Sequence, residues 1–236
     1  MLLLNSRLPG LESADVRRAI LSAIDTAELA KHSEARLRSG QPSGLLPPAM
    51  PGHSRRSGVA HDLEESARLL AAAGHPGGEG LPRLKLYGHI WVLQIAEAMV
   101  GQLEKVGLHV DLHMLDAGRG VYQQPDDADL MLSSWVADYA DPDGFFRGLV
   151  DGARCFDMDD GQTVHMLREA RGVRDHDKRL AAYQEVDRRL AQELAVLAPI
   201  GYPRTSLLTR PWVHGAWANS VTPLRLSDVI VERPAD

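Results

Sequence analysis

The stretch SSWVADYADPDGFF, residues 133–146, gathers the residue types best suited to chemistry in this chain. Asp138, Asp141 and Asp143 fall within six positions, flanked by Trp135, Tyr139, Phe145 and Phe146. One chemistry such residues support is acid–base catalysis by the Asp138 and Asp141 carboxylates. At turn spacing, however, carboxylates more often cap a helix or satisfy turn amides. Ser133 and Ser134 have no base beside them in the sequence, and the chain carries no G-x-S-x-G, H-E-x-x-H, Walker-type or G-x-G-x-x-G pattern. An enzyme is therefore not expected. The other chemistry is recognition: a carboxylate pairs with a cation such as an amine, and aromatic rings supply apolar walls at small entropic cost. The bland alternative places Trp135 and Phe145 in the core and makes the aspartates turn formers. The residues alone leave these two readings balanced.

Other combinations are weaker. His109, Asp111 and His113 share one strand face at a spacing of two, which resembles a metal-ligand pattern. Nothing else in the sequence converges there, so the pattern reads as the solvated face of a half-buried strand, and neither metal nor cofactor is expected. Cys155 is the sole cysteine, which excludes an intrachain disulfide and a thiolate cluster. A net charge of −6 argues against general nucleic-acid binding, which needs a basic face. No apolar run approaches the roughly 20 residues of a membrane span. The opening MLLLNSRLPG lacks the charged start and the long apolar run of a signal peptide. The chain as written is thus expected either to stay in the cytoplasm or to be part of something longer.

The elements that must position the motif read as α/β with a mixed sheet and a β-rich tail. Leu2 to Leu4 form a short strand. Asp15 opens a helical pattern in which Val16, Ile20 and Ile24 recur every four residues, and Thr26 caps a second short helix. Residues 39–58, rich in Pro and Gly, form an irregular loop whose LLPPAMP segment is apolar enough to pack. Asp62 and Glu65 form a capping box, and Gly74 ends the helix that follows. PRLKLYG is a strand. The next helix runs along Ile95, Met99, Leu103 and Val106 and closes at Gly107. LHVDLHML alternates as a second strand. Strand, helix and strand with short connections make a βαβ unit with parallel strands. ADLMLSSW supplies another strand that delivers the chain into the motif. Two helices are expected afterwards, GQTVHMLREARGV and DHDKRLAAYQEVDRRLAQELAVLAP. Strands follow at PIGYPRTSLLT and LRLSDVIVE.

In order and spacing, LLLNSRLP, GQPSGLLPPAMPG, HDLEESARLLAAAGHP, IAEAMVGQLEKVGLHVDLHMLD, ADLMLSSWVADYADPDGFF and the segment from RLAAYQEV to WANS resemble the family 5 extracellular solute-binding proteins. These are the peptide- and nickel-binding components of bacterial ABC importers. The resemblance extends from about Leu2 to Asp236 and corresponds to the C-terminal half of a member. It implies a periplasmic-binding-protein-like second lobe, a mixed sheet with βαβ units flanked by helices. Residues 1–10 would be a hinge or first-lobe strand, 11–210 the C-terminal ligand-binding lobe, and 211–236 a return segment of the first lobe. In peptide-binding members a Trp-x-x-Asp motif lines the cleft between lobes, and its aspartate pairs with the peptide amino terminus. By that match Asp138 is the carboxylate, Trp135 the wall and Tyr139 a neighbouring contact. RGLVDGARCFDMDDGQTVHML is shorter than the family pattern, which leaves the ligand class open.

The resemblance implies a small-molecule or peptide ligand and, through a full-length protein, the membrane permease of an ABC transporter at the periplasmic or extracellular face. It also admits a cytoplasmic transcriptional regulator with a sensing domain of this family. A signal peptide and first lobe encoded upstream of Met1 would favour import, and a winged helix there would favour regulation. A lobe without its partner would expose a large apolar face, so self-association is an expectation that sedimentation tests.

Overall fold

The computed structural model describes residues 1–32, 43–55, 58–116, 125–137, 139–152, 160–203, 207–216 and 226–232. Five strands form the central sheet: β1 (Leu2–Leu4), β2 (Leu84–His89), β3 (Val110–Leu115), β4 (Leu130–Leu132) and β5 (Leu197–Ala198), in the spatial order β3-β2-β4-β1-β5. β2 runs parallel to both β3 and β4, while β1 is antiparallel to β4 and β5, so the sheet is mixed as expected.

The inner strands LLL and LML are apolar at every position because helices cover both faces. Successive side chains alternate between two cores. Leu2, Leu4, Leu84, Leu86, Leu130 and Leu132 face α1 (Ala14–Ser22), α3 (Leu63–Ala72) and α4 (Leu93–Glu104). Leu3 and Met131 face the opposite layer, made of α5 (Pro142–Gly152), α6 (Gly161–Gly172), α7 (His176–Arg188) and the loop carrying Leu45, Leu46 and Met50. Val16, Ile20 and Ile24 are all buried, as their spacing predicts.

Local chemistry accounts for the ends of these elements. Asp62 accepts from the Glu65 amide at 2.9 Å and caps α3. Gly107 ends α4 at φ +83, and a Cβ there would meet the Gly77 carbonyl, so only glycine fits. Ser13 caps α1, with Asp15 in its first turn, and Asp25 rather than the expected Thr26 caps α2 (Thr26–Leu29), because a cap needs an extended residue before the first helical turn.

Three features depart from the sequence reading. The second half of the motif is not loop: α5 begins at Pro142, whose fixed φ suits a first helical position. After α7 the chain widens into a π turn over Arg189–Glu193, and its carbonyls are met by α1. Arg18 donates to Gln192 O and Glu193 O at 2.8 Å, and buried Arg17 donates through Nε to Leu194 O at 2.9 Å. The described residues of PIGYPRTSLLT form no strand. Pairing stops at Ala198, one residue before Pro199, and the described residues beyond it have no strand partner until Val213. The tail instead forms a separate two-stranded ribbon, β6 (Val213–His214) with β7 (Ile230–Val231).

Candidate ligand-binding edge

β2, β3 and β4 end at one edge of the sheet, with Gly88 beside both Leu132 and Met114. In open α/β sheets the carboxyl ends of parallel strands are where ligands bind. The loop leaving β4 carries the motif, and the structure divides its residues among distinct tasks.

Two of the three aspartates are held by arginines. Asp141 accepts from Arg179 through both oxygens, at 2.7 and 2.8 Å, and caps the start of α5 by accepting from the Asp143 amide at 2.9 Å. The Arg179 hydrogen bond holds the Asp141 carboxyl below its ordinary range, and the guanidinium is raised in return. Asp143 is buried and accepts from Arg171 Nε at 2.6 Å and from the hydroxyls of Tyr183 and Tyr139, each at 3.2 Å. Burial first, and then the Asp143 charge, pushes the Tyr183 hydroxyl up to about 12. Tyr139 is raised by the same two causes. Arg179 also lies 5.1 Å above the Tyr183 ring, and Tyr183 stacks on Phe146. Asp138 lies outside the described residues.

The aromatics divide as well. Phe145 and Phe146 are buried core residues, as the bland reading held for Phe145. Trp135 is half-buried and Tyr139 is 48% exposed. Their rings lie against α5 where it has no side chain: a Cβ on Gly148 would stand 2.5 Å from Trp135 Cζ2, and one on Gly144 would stand 2.8 Å from the Tyr139 ring. Val136 between them is 68% exposed. The edge therefore presents an open aromatic surface backed by a charged and hydrogen-bonded layer.

Sequence reasoning overlooked a neighbouring group. At the end of β2, Ile90 and Trp91 are exposed, and Trp91 stacks on buried His89 with ring centroids 4.3 Å apart. Among the described residues neither imidazole nitrogen has a hydrogen-bond partner, and burial keeps the ring toward its neutral form. A histidine and a tryptophan two positions apart were the available signal. The strand-face set is engaged locally: Asp111 pairs with Arg83 at 3.0 Å, and His113 stacks on Tyr87. A small recess lined by Leu21, Ile24, Val59, His61 and Ile200 shares no residue with the motif loop.

Residues 1–155 match the bacterial extracellular solute-binding proteins, family 5 Middle. The chain belongs to this family. Among curated relatives, the family 5 chain is 25% identical over 159 residues to a di/tripeptide-binding protein 2 of Pseudomonas aeruginosa (strain UCBPP-PA14), covering 63% of this chain and 27% of the relative. Its fold is that of the clavulanic acid biosynthesis oligopeptide binding protein 2, with a TM-score of 0.84 at 23% identity over 98% of this chain and 46% of that one. It also matches the periplasmic binding protein DppA from Helicobacter pylori, solved with the peptide STSA, at a TM-score of 0.82 and 22% identity, again covering 98% and 46%. The family 5 chain thus spans about a quarter of that curated relative and a little under half of these solved ones. The family is one of solute-binding proteins and not of enzymes, and no described helix is long and apolar enough to cross a membrane.

Proposed function

We propose that this chain is the C-terminal, ligand-recognising half of a peptide-binding subunit of an ABC importer. The observation that carries the reading is the open aromatic surface at the strand ends, built by Trp135, Val136 and Tyr139 on the bare side of α5. Asp141 and Asp143 are taken by arginines, so within the motif we assign Asp138 the pairing with a ligand amine that the family resemblance implies. Peptide complexes of proteins with this fold, from Helicobacter pylori with STSA and from Pseudoalteromonas sp. SM9913 with Met-Leu, support a peptide ligand.

In this reading residues 11–210 form the binding lobe, 1–10 the hinge strand by which the chain enters it, and 211–236 the return segment. β1 sits inside the lobe's sheet between β4 and β5, as an entering strand would. Among the described residues the β6–β7 ribbon pairs with no strand of that sheet, which suits a segment belonging elsewhere. The ligand is held between two lobes by hinge closure, each supplying part of the contacts. The whole protein would act at the periplasmic or extracellular face and deliver its ligand to the transporter's membrane permease.

Calorimetry with free and N-acetylated di- to tetrapeptides tests this reading. We expect only weak binding by this chain alone, lost on N-acetylation and in Asp138→Asn by roughly tenfold or more, as for a hydrogen bond to a charged group. Sub-micromolar binding by the isolated chain would overturn the two-walled site. Binding indifferent to acetylation would overturn the amine pairing.

A further inference from the structure

We propose that Gly144 and Gly148 are positioning residues of the ligand-binding edge, each acting through an aromatic ring; the proposal rests on the reading that Trp135 and Tyr139 face the ligand. Glycine is a poor helix former, and its usual excuse is a left-handed conformation. Neither residue has a positive φ, so the backbone itself would accept alanine. The two are four residues apart and therefore share one face of α5. That face is where the Tyr139 and Trp135 rings lie, at distances no Cβ tolerates.

The helix cannot easily yield to make room. Its first turn is tied to α7 through Asp141 and Arg179, and to α6 and α7 through Asp143 with Arg171 and Tyr183. Behind it Phe145 and Phe146 fill the core. A methyl group at 144 or 148 therefore displaces the ring in front rather than the helix behind. The depth and tilt of the aromatic surface are set by the absence of two side chains that never touch a ligand. Elsewhere the effect should be missing: a methyl group on Gly101 in α4 or Gly161 in α6 would meet nothing within 4 Å.

The test uses the full chain labelled with 5-fluorotryptophan, its four tryptophan resonances assigned by single Trp→Phe changes. Gly148→Ala should move the Trp135 resonance and raise its solvent isotope shift while helix content by circular dichroism is unchanged or higher. Gly101→Ala and Gly161→Ala should leave that resonance in place. If Gly148→Ala folds poorly, the pair Gly148→Ala with Trp135→Ala decides: removing the ring should restore folding, because the conflict is with the ring. An unmoved Trp135 resonance, or no rescue, overturns the seat. Titration with the dipeptide Met-Leu supplies the second readout, with dissociation constants at least tenfold weaker in Gly144→Ala and Gly148→Ala than in Gly161→Ala. A displaced ring with unchanged Met-Leu affinity overturns the positioning role. No response of the unsubstituted chain to any peptide of the panel overturns the expectation of weak binding by this lobe alone, and the ring displacement still decides the seat.

Discussion

The loop after β4 and the ribbon at the end of the chain are both rich in exposed apolar residues, yet they are built differently. In the loop, each of these two rings has a fixed backing: Tyr139 donates to Asp143 and rests on Gly144, and half-buried Trp135 rests on Gly148. In the ribbon, Ile230 and Val231 are 61% and 57% exposed on a two-residue pairing that has no third strand among the described residues. An isolated two-stranded ribbon is marginal in water, whereas a ring seated on a helix loses little further freedom when a ligand arrives. The first surface is held in place by its backing. The second is apolar area that a larger partner would have to cover.

The contrast can be broken most severely at Asp143. Asp143→Ala leaves Arg171, Tyr183 and Tyr139 without their shared acceptor, and we expect a loss of about 3 kcal/mol in urea unfolding, below the full cost of a wholly buried pair because Arg171 is partly exposed. A loss within 0.5 kcal/mol, roughly the surface background, would show that the loop's backing is not structural.

Arg179→Met should cost about 1–2 kcal/mol at neutral pH, since a bidentate but partly exposed pair is lost. Its pH dependence has a defined sign. The folded Asp141 carboxyl lies below its ordinary value of 3.8, so its contribution is fully present above that value and is lost as pH falls through the folded value. Acid unfolding of Arg179→Met should therefore be shallower than that of the unsubstituted chain below pH 3.8. Parallel acid profiles would remove Asp141 from the account.

His89→Leu sharpens the comparison from the other side of the edge. Replacing an imidazole that has no hydrogen-bond partner among the described residues with an apolar side chain should be neutral or stabilising by about 1 kcal/mol. A clear loss of stability would mean the ring is bonded to a partner. The smallest effect is expected in the ribbon. Val231→Lys should change stability by no more than about 0.5 kcal/mol while reducing self-association in sedimentation at high concentration. A purely monomeric profile for the unsubstituted chain would show that the exposed ribbon does not drive association.

Much of the scaffold was legible from local pattern. The βαβ unit followed from alternation at Leu84 to Leu86 and the four-residue stripe Ile95, Met99 and Leu103, and the helix stop followed from Gly107. α5 was not legible, because Asp-Pro-Asp-Gly carries the signals of a turn and the helix is held by Phe145 and Phe146 in a core formed with α6 and α7. The strand expected at PIGYPRTSLLT is missing from its described residues for the converse reason: its alternation was local, and among the described residues no strand pairs with it past Ala198.

By itself, the sequence determined the layers, the mixed sheet and the place where an acidic aromatic segment leaves a strand, since periodicity, caps and glycine stops act over a few residues. Only the tertiary structure decided what each member of that segment does. Asp141 meets Arg179, 38 positions later, and Asp143 meets Arg171 and Tyr183, 28 and 40 positions later. Trp135 and Tyr139 find their seats on glycines of a helix that exists because distant residues pack behind it. Charge pairing and close packing depend on distance in space, and local sequence pattern carries no measure of that distance.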